Sequence, residues 1–189
     1  MKKILSLFTI LFTTISYASD YNSTIKLVEE NSKVIILDIN KFNFKGSITF
    51  QGLDNSFSYT ENIANIQPFS KKFNLNNLKI GTYSIQVKSN ESVTIHNLSV
   101  NQNTIIINST NDYFKPFVQV DKNLLKLVFL GDLTQKANVK IYNQRVGEVY
   151  DLSKSKNDFN SMNFKFTDRG NYTIIITMGE ISFKESIKI

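Results

Sequence analysis

Gly81-Thr82-Tyr83-Ser84-Ile85-Gln86-Val87 decides the fold, because Gly170-Asn171-Tyr172 opens a similar run, Thr173-Ile174-Ile175-Ile176, 89 residues later. β-Branched and apolar residues recurring at every second position turn one face of an extended strand toward a core. A loop glycine followed by a tyrosine that opens a strand is what a tyrosine corner requires. There the ring packs inside while the hydroxyl bonds to nearby backbone, and the glycine supplies an unusual φ. Gly81, Tyr83, Gly170 and Tyr172 are therefore read as architecture rather than as a binding site.

Working outward, the same order of strands recurs. Val34-Ile35-Ile36-Leu37 matches Leu125-Lys126-Leu127-Val128, Ser47-Ile48-Thr49-Phe50 matches Asn138-Val139-Lys140-Ile141, and Phe73-Asn74-Leu75 matches Phe164-Lys165-Phe166, all at an offset of 91. The offset falls to 89 at the glycines and stays there to Leu98/Ile187 and Val100/Ile189, so one two-residue shortening explains the alignment. Chance does not hold one offset across three strands.

Each repeat carries about seven strands at sandwich spacing. The expectation is all-β: two tandem immunoglobulin-like or fibronectin-III-like β-sandwich domains after a signal peptide. The boundaries are 1–18 for the leader, 19–108 for the first sandwich and 109–189 for the second. In sandwich lettering, A, B, C, C′, E, F and G of the first repeat start near Thr24, Lys33, Ser47, Ser56, Lys72, Tyr83 and Val93. The stretch from Asn108 to Pro116, rich in Asn, Ser and Thr, reads as the linker.

Met1-Lys2-Lys3, an apolar run from Ile4 to Ile15 and Ser16-Tyr17-Ala18 have the form of a secretory leader cleaved after Ala18. The run is shorter than the roughly 20 residues a spanning helix needs, and no second apolar span follows. The expected location is outside the cytoplasm: periplasmic, secreted or at the cell surface. The chain has no Cys, which excludes a disulfide framework, a thiolate nucleophile and cysteine-based metal sites. Lys and Arg number 22 against 16 Asp and Glu, a net charge of +6, but the lysines do not cluster with arginines or interleaved aromatics as a nucleic-acid track does.

No catalytic constellation is legible. His96 is the only imidazole, so it has no second His for a zinc site and no accompanying nucleophile elbow; it is expected on a strand surface. The carboxylates stand singly, with no calcium-loop pattern; Glu148 and Asp151 are weighed as a weak cation site against a solvated edge, and the edge is preferred. No cofactor and no metal ligand set is expected. Phe57 and Tyr59 share one face of C′, either as an aromatic platform for a sugar or peptide or as cover for the core, the second being favoured.

The stretch from Phe73 to Tyr83 and its echo from Phe166 to Tyr172 resemble the leucine–spacer–glycine–x–tyrosine signature of immunoglobulin-like modules in secreted Bacteroidetes proteins. Tyr172 through Ile189 is similar to the ending of type IX secretion C-terminal sorting domains, though it lacks their Pro-Asn-Pro opening and ends in Ile rather than a basic residue. The resemblance implies an exported two-module protein and carries over nothing catalytic. The expected function is non-enzymatic: interaction with an unknown protein or glycan partner at the cell envelope, with no nucleic acid and no membrane span in the mature chain. Edge-strand pairing with an extended segment is the leading route. Glycan binding through Phe57 and Tyr59, or a sorting role for the second module, are the alternatives.

Overall fold

The computed structural model describes residues 23–54, 57–130, 137–154 and 161–189; the leader and Ser56 lie outside them. Seven strands make the first repeat: β1 (Thr24–Leu27), β2 (Val34–Ile39), β3 (Phe44–Gly52), β4 (Ser58–Asn65), β5 (Phe69–Asn74), β6 (Gly81–Ser89) and β7 (Ser92–Val100). An eighth, β8 (Ile105–Phe114), follows. The second repeat comprises β9 (Phe117–Asp121), β10 (Leu124–Val128), β11 (Ala137–Asn143), β12 (Gly147–Lys154), β13 (Ser161–Lys165), β14 (Asn171–Met178) and β15 (Ile181–Lys188).

The first sandwich sets a β1-β2-β5 sheet against β4-β3-β6-β7-β8; the second sets β9-β10-β13 against β12-β11-β14-β15. Every ladder is antiparallel. Alternation drives the packing. Ile35, Leu37, Ile48, Phe50, Tyr83 and Ile85 face the first core, and Leu125, Leu127, Val139, Ile141, Tyr172 and Ile174 face the second. Gly46 fixes one close crossing: a Cβ there would stand 2.0 Å from the Lys88 carbonyl oxygen on β6, so only glycine lets the two strands approach.

Two expectations are corrected. The offset of 91 assigned to the second strand of each repeat is 90 in the fold, where the buried sets are Ile35, Leu37 and Ile39 against Leu125, Leu127 and Phe129. Val34 to Leu37 is an unbroken apolar run, so it carries no period-two mark, and a slip of one residue exchanges the two faces unnoticed. The stretch read as a linker is strand through Phe114: β8 pairs with β7 along its whole length, with a bulge at Asn97/Leu98. The boundary drawn between 108 and 109 falls inside β8. Its Asn-, Ser- and Thr-rich composition looks like loop, but those side chains bond across the ladder, Asn97 to Ser109 and Asn108 to Ser99.

The β7–β8 ribbon also ties the sandwiches together. Val93 and its ladder partner Tyr113 are buried in the second sandwich's core cluster, and Ile95 packs against it. Residues on the opposite face of the same ribbon, Leu98 and Ile105, belong to the first core.

Candidate functional site: an open sheet edge

The duplication supplies an internal comparison. In the first sandwich β7 is covered by β8; in the second, β15 stands at the edge of its sheet among the described residues. The ladders Tyr83↔Leu98 and Tyr172↔Ile187 bring β7 and β15 into correspondence, so Ser92, Thr94, His96 and Leu98 answer Ile181, Phe183, Glu185 and Ile187.

On β7, His96 lies opposite Ile85 and faces inward, fully buried. This corrects the surface expectation. Its Nε2 shares a 2.9 Å hydrogen bond with the Ser23 hydroxyl and its Nδ1 one of 2.9 Å with the Thr110 hydroxyl of β8. Burial lowers its pKa to about 4, leaving a neutral ring with both nitrogens satisfied. The neighbouring Thr94 hydroxyl donates to Asp112, whose pKa burial raises. β8 therefore supplies the polar partners that a polar inner face on β7 demands.

On β15, Glu185 lies opposite the fully buried Ile174, so its carboxylate also points inward. It pairs with Lys115, just ahead of β9. Across the mouth, Val118 and Val120 face inward opposite Leu127 and Leu125, yet Val120 remains 38% exposed. Between the edges of β9 and β15 runs a groove of about 730 Å³ whose apolar rim includes Phe117, Leu130 and Ile187. Phe117 is 61% and Leu130 52% exposed, so the groove is open to solvent. The outer face of β15 presents exposed Lys184 and Lys188 alternating with Ser182 and Ser186.

Those charges discriminate among partners. In an antiparallel pair, directly opposed residues share a face. Two copies of β15 centred on Lys184 oppose Lys184 to itself; centred on Glu185 they oppose the two carboxylates; centred on Ser186 they oppose Lys184 to Lys188. Like charges directly opposite destabilise a ladder. The edge resists its own copy and suits a segment of opposite outward charge.

The other singled-out residues fall elsewhere. Phe57 packs against the first core with its ring edge-on to Phe50 at 5.3 Å. Tyr59 sits at the rim, where Lys71 Nζ lies 5.1 Å from its ring centroid and donates to its hydroxyl, which in turn donates to Glu61. Glu148 and Asp151 flank Lys140 at 3.5 and 3.0 Å. The Tyr83 hydroxyl donates to the Lys79 carbonyl at 2.9 Å and that of Tyr172 to the Asp168 carbonyl at 2.7 Å, each four residues upstream. Neither Gly81 nor Gly170 has the left-handed φ expected of it. At Gly170 the requirement is room instead, since a Cβ would meet Asn143 Nδ2 at 3.2 Å. Glu185 and Lys115 were not singled out by the sequence, although Glu185 interrupts the alternation of Ile181, Phe183 and Ile187, a mark that would have found it. Among the described residues no group of three His, Asp or Glu is placed to hold a metal ion, and no helix is long and apolar enough to cross a membrane.

No family model and no curated protein matches the sequence. Solved structures do. A two-domain fibronectin type III segment of chicken tenascin is similar over 88% of this chain and 98% of that one, with 10% identity and a TM-score of 0.32. The FN1-FN3 domains of chicken CNTN1 match 82% of this chain at 9% identity and a TM-score of 0.32, this chain spanning 60% of their length. A biofilm associated protein's BSP domain matches 84% of this chain and 27% of that one, at 11% identity and a TM-score of 0.29. Strand order fixes the fold: A-B-E faces C′-C-F-G in both repeats. These are tandem fibronectin-III-like sandwiches.

Proposed function

We propose that the chain is an exported, non-catalytic interaction protein whose β15 edge takes up an extended partner segment as an additional antiparallel strand. The observation that carries this is the contrast between the repeats: β8 covers β7, while no described strand pairs with the corresponding edge of β15. A terminal strand presents unpaired backbone groups, and main-chain hydrogen bonds to an added strand are an established source of peptide affinity. Lys184 and Lys188 favour acidic residues on the partner's outward face, and Glu185 favours a hydroxyl or basic residue inward. The leader-like Met1–Ala18 supports delivery to the envelope or beyond it.

The test is calorimetric titration of the protein with ten-residue peptides that alternate acidic and β-branched residues. Binding is expected to fail when every second peptide nitrogen is methylated and to weaken in Lys184→Glu. Methylated peptides binding as well as unmodified ones, or an unchanged affinity in Lys184→Glu, would overturn the reading. The intact mass of the native protein from periplasm, surface and medium tests the export component; a chain still bearing Met1 in every fraction contradicts it.

A further inference from the structure

A second concave surface lies at the end of the second sandwich and meets the edge strand proposed above only at Lys188. It encloses about 870 Å³, and Lys122, Arg145, Arg169 and Lys188 line it, with Asp168 the one acidic side chain among the lining residues. Arg145 and Arg169 are the only arginines in the chain. None of the four cations forms an ion pair with a described carboxylate.

The first sandwich shows that the fold does not require these charges. Counting back from the following strand, where the Lys33 and Asn123 carbonyls accept from the matching Leu75 and Phe166 amides, Lys122 answers Ser32. Counting from the aligned strands, Arg145 answers Asp54, Arg169 answers Ile80 and Lys188 answers Ser99. Four cations thus replace one acid and three neutral residues on a common frame. Their mutual repulsion opposes folding, so stability does not account for them.

The frame beneath is tied down. Asn123 Nδ2 donates to the Phe166 carbonyl at 3.1 Å, and the Phe166 amide donates to the Asn123 carbonyl at 2.8 Å. Asn171 Nδ2 donates to Gln144 Oε1 at 3.2 Å, the Arg145 amide donates to Asn143 Oδ1 at 2.8 Å, and the Tyr172 hydroxyl holds the Asp168 carbonyl. A fixed frame confines the entropy lost on binding to the cationic side chains themselves, and guanidinium forks match sulfate and carboxylate groups in two-point contacts.

From this geometry we infer that the cleft binds an anionic oligosaccharide, its sulfate or uronate groups held by Arg145, Arg169, Lys122 and Lys188. Asp168 shares the same wall, accepting from the Thr167 hydroxyl at 3.2 Å. A carboxylate there repels an unbroken run of anions and accepts from sugar hydroxyls, which selects a sugar with spaced charges over a polyphosphate or an acidic peptide.

The full chain is titrated calorimetrically with a sulfated hexasaccharide, hexagalacturonate, inorganic tripolyphosphate and hexaglutamate. One or both saccharides are expected to bind, more weakly as salt rises, and Arg145→Gln with Arg169→Gln is expected to weaken binding at least about tenfold. The same double variant should melt no lower than the parent, since the cations do not support the fold, and Lys184→Glu should leave saccharide affinity unchanged. Neither saccharide binding, equal affinity in the double variant, or tripolyphosphate or hexaglutamate binding as tightly as the saccharides in the Lys184→Glu background, where the strand edge is disabled, would overturn the inference. These outcomes are independent of the strand-addition experiment, whose variant lies outside the cleft.

Discussion

His96 and Glu185 occupy one position in the two repeats: each faces inward on the last strand of its repeat, and each is tied to the residue run that enters the repeat's first strand, His96 to Ser23 and Glu185 to Lys115. The duplicated fold has kept a polar link between first and last strands while changing its chemistry. In the first sandwich the link is neutral and roofed by β8. In the second it is ionic, under an open groove.

The neutral link makes stability depend on pH. The His96 ring is charged in the unfolded chain below its ordinary pKa of 6.5, whereas the folded protein resists protonation until about 4. The unfolded state therefore binds the extra proton in that window. Stability is full above 6.5 and falls by up to about 3 kcal/mol as pH drops toward 4. Asp112, raised by burial, works in the opposite direction at the acid end. Urea unfolding across this range should show the loss in the parent and a flatter profile in His96→Gln; parallel profiles would contradict the burial of the ring.

The ionic link acts as a guard. A charge pointing inward on an edge strand discourages pairing with another edge. Lys115→Met with Glu185→Leu is expected to leave unfolding stability equal or higher, as apolar replacements of ion pairs often do. The same variant should self-associate, and sedimentation velocity reads this directly: a monomer at all concentrations would show that the pair does not protect the edge.

Removing a corner hydroxyl tests the two tyrosines separately. Tyr83→Phe and Tyr172→Phe each lose one hydrogen bond to backbone and are expected to cost about 1 kcal/mol. Gly46→Ala is a harsher change, because its methyl would meet a strand backbone rather than a side chain. The cost should reach roughly 3 kcal/mol, at the upper end of what overpacking a core costs. Equilibrium unfolding ranks the three.

Tyr113→Ala should destabilise the second sandwich by about 3 kcal/mol although its strand belongs to the first sheet. Amide exchange on β10 and β14 reports this, and unchanged protection there would contradict the shared core.

Much of this fold was legible because its strands alternate. Ser47 to Phe50, Tyr83 to Val87 and Tyr172 to Ile176 fixed faces and order without help. The signal failed where period two was absent or disguised. Val34 to Leu37 is apolar throughout, so its register slipped by one. β8 has the composition of a loop, because a strand at the outer edge of a sheet can be built from Asn, Ser and Thr that bond across the ladder. His96 carried no mark of burial, since its partners Ser23 and Thr110 lie 73 and 14 residues away. The cationic cleft draws on three loops and a strand end, which only the fold brings together.

The β7–β8 ribbon has a mechanical consequence. One of its faces is core for the first sandwich and the other is core for the second. Bending the molecule at this junction would pull Val93 and Tyr113 out of an apolar interior, so the ribbon works as a strut rather than a hinge. Load applied to the second sandwich passes through this strut into the first.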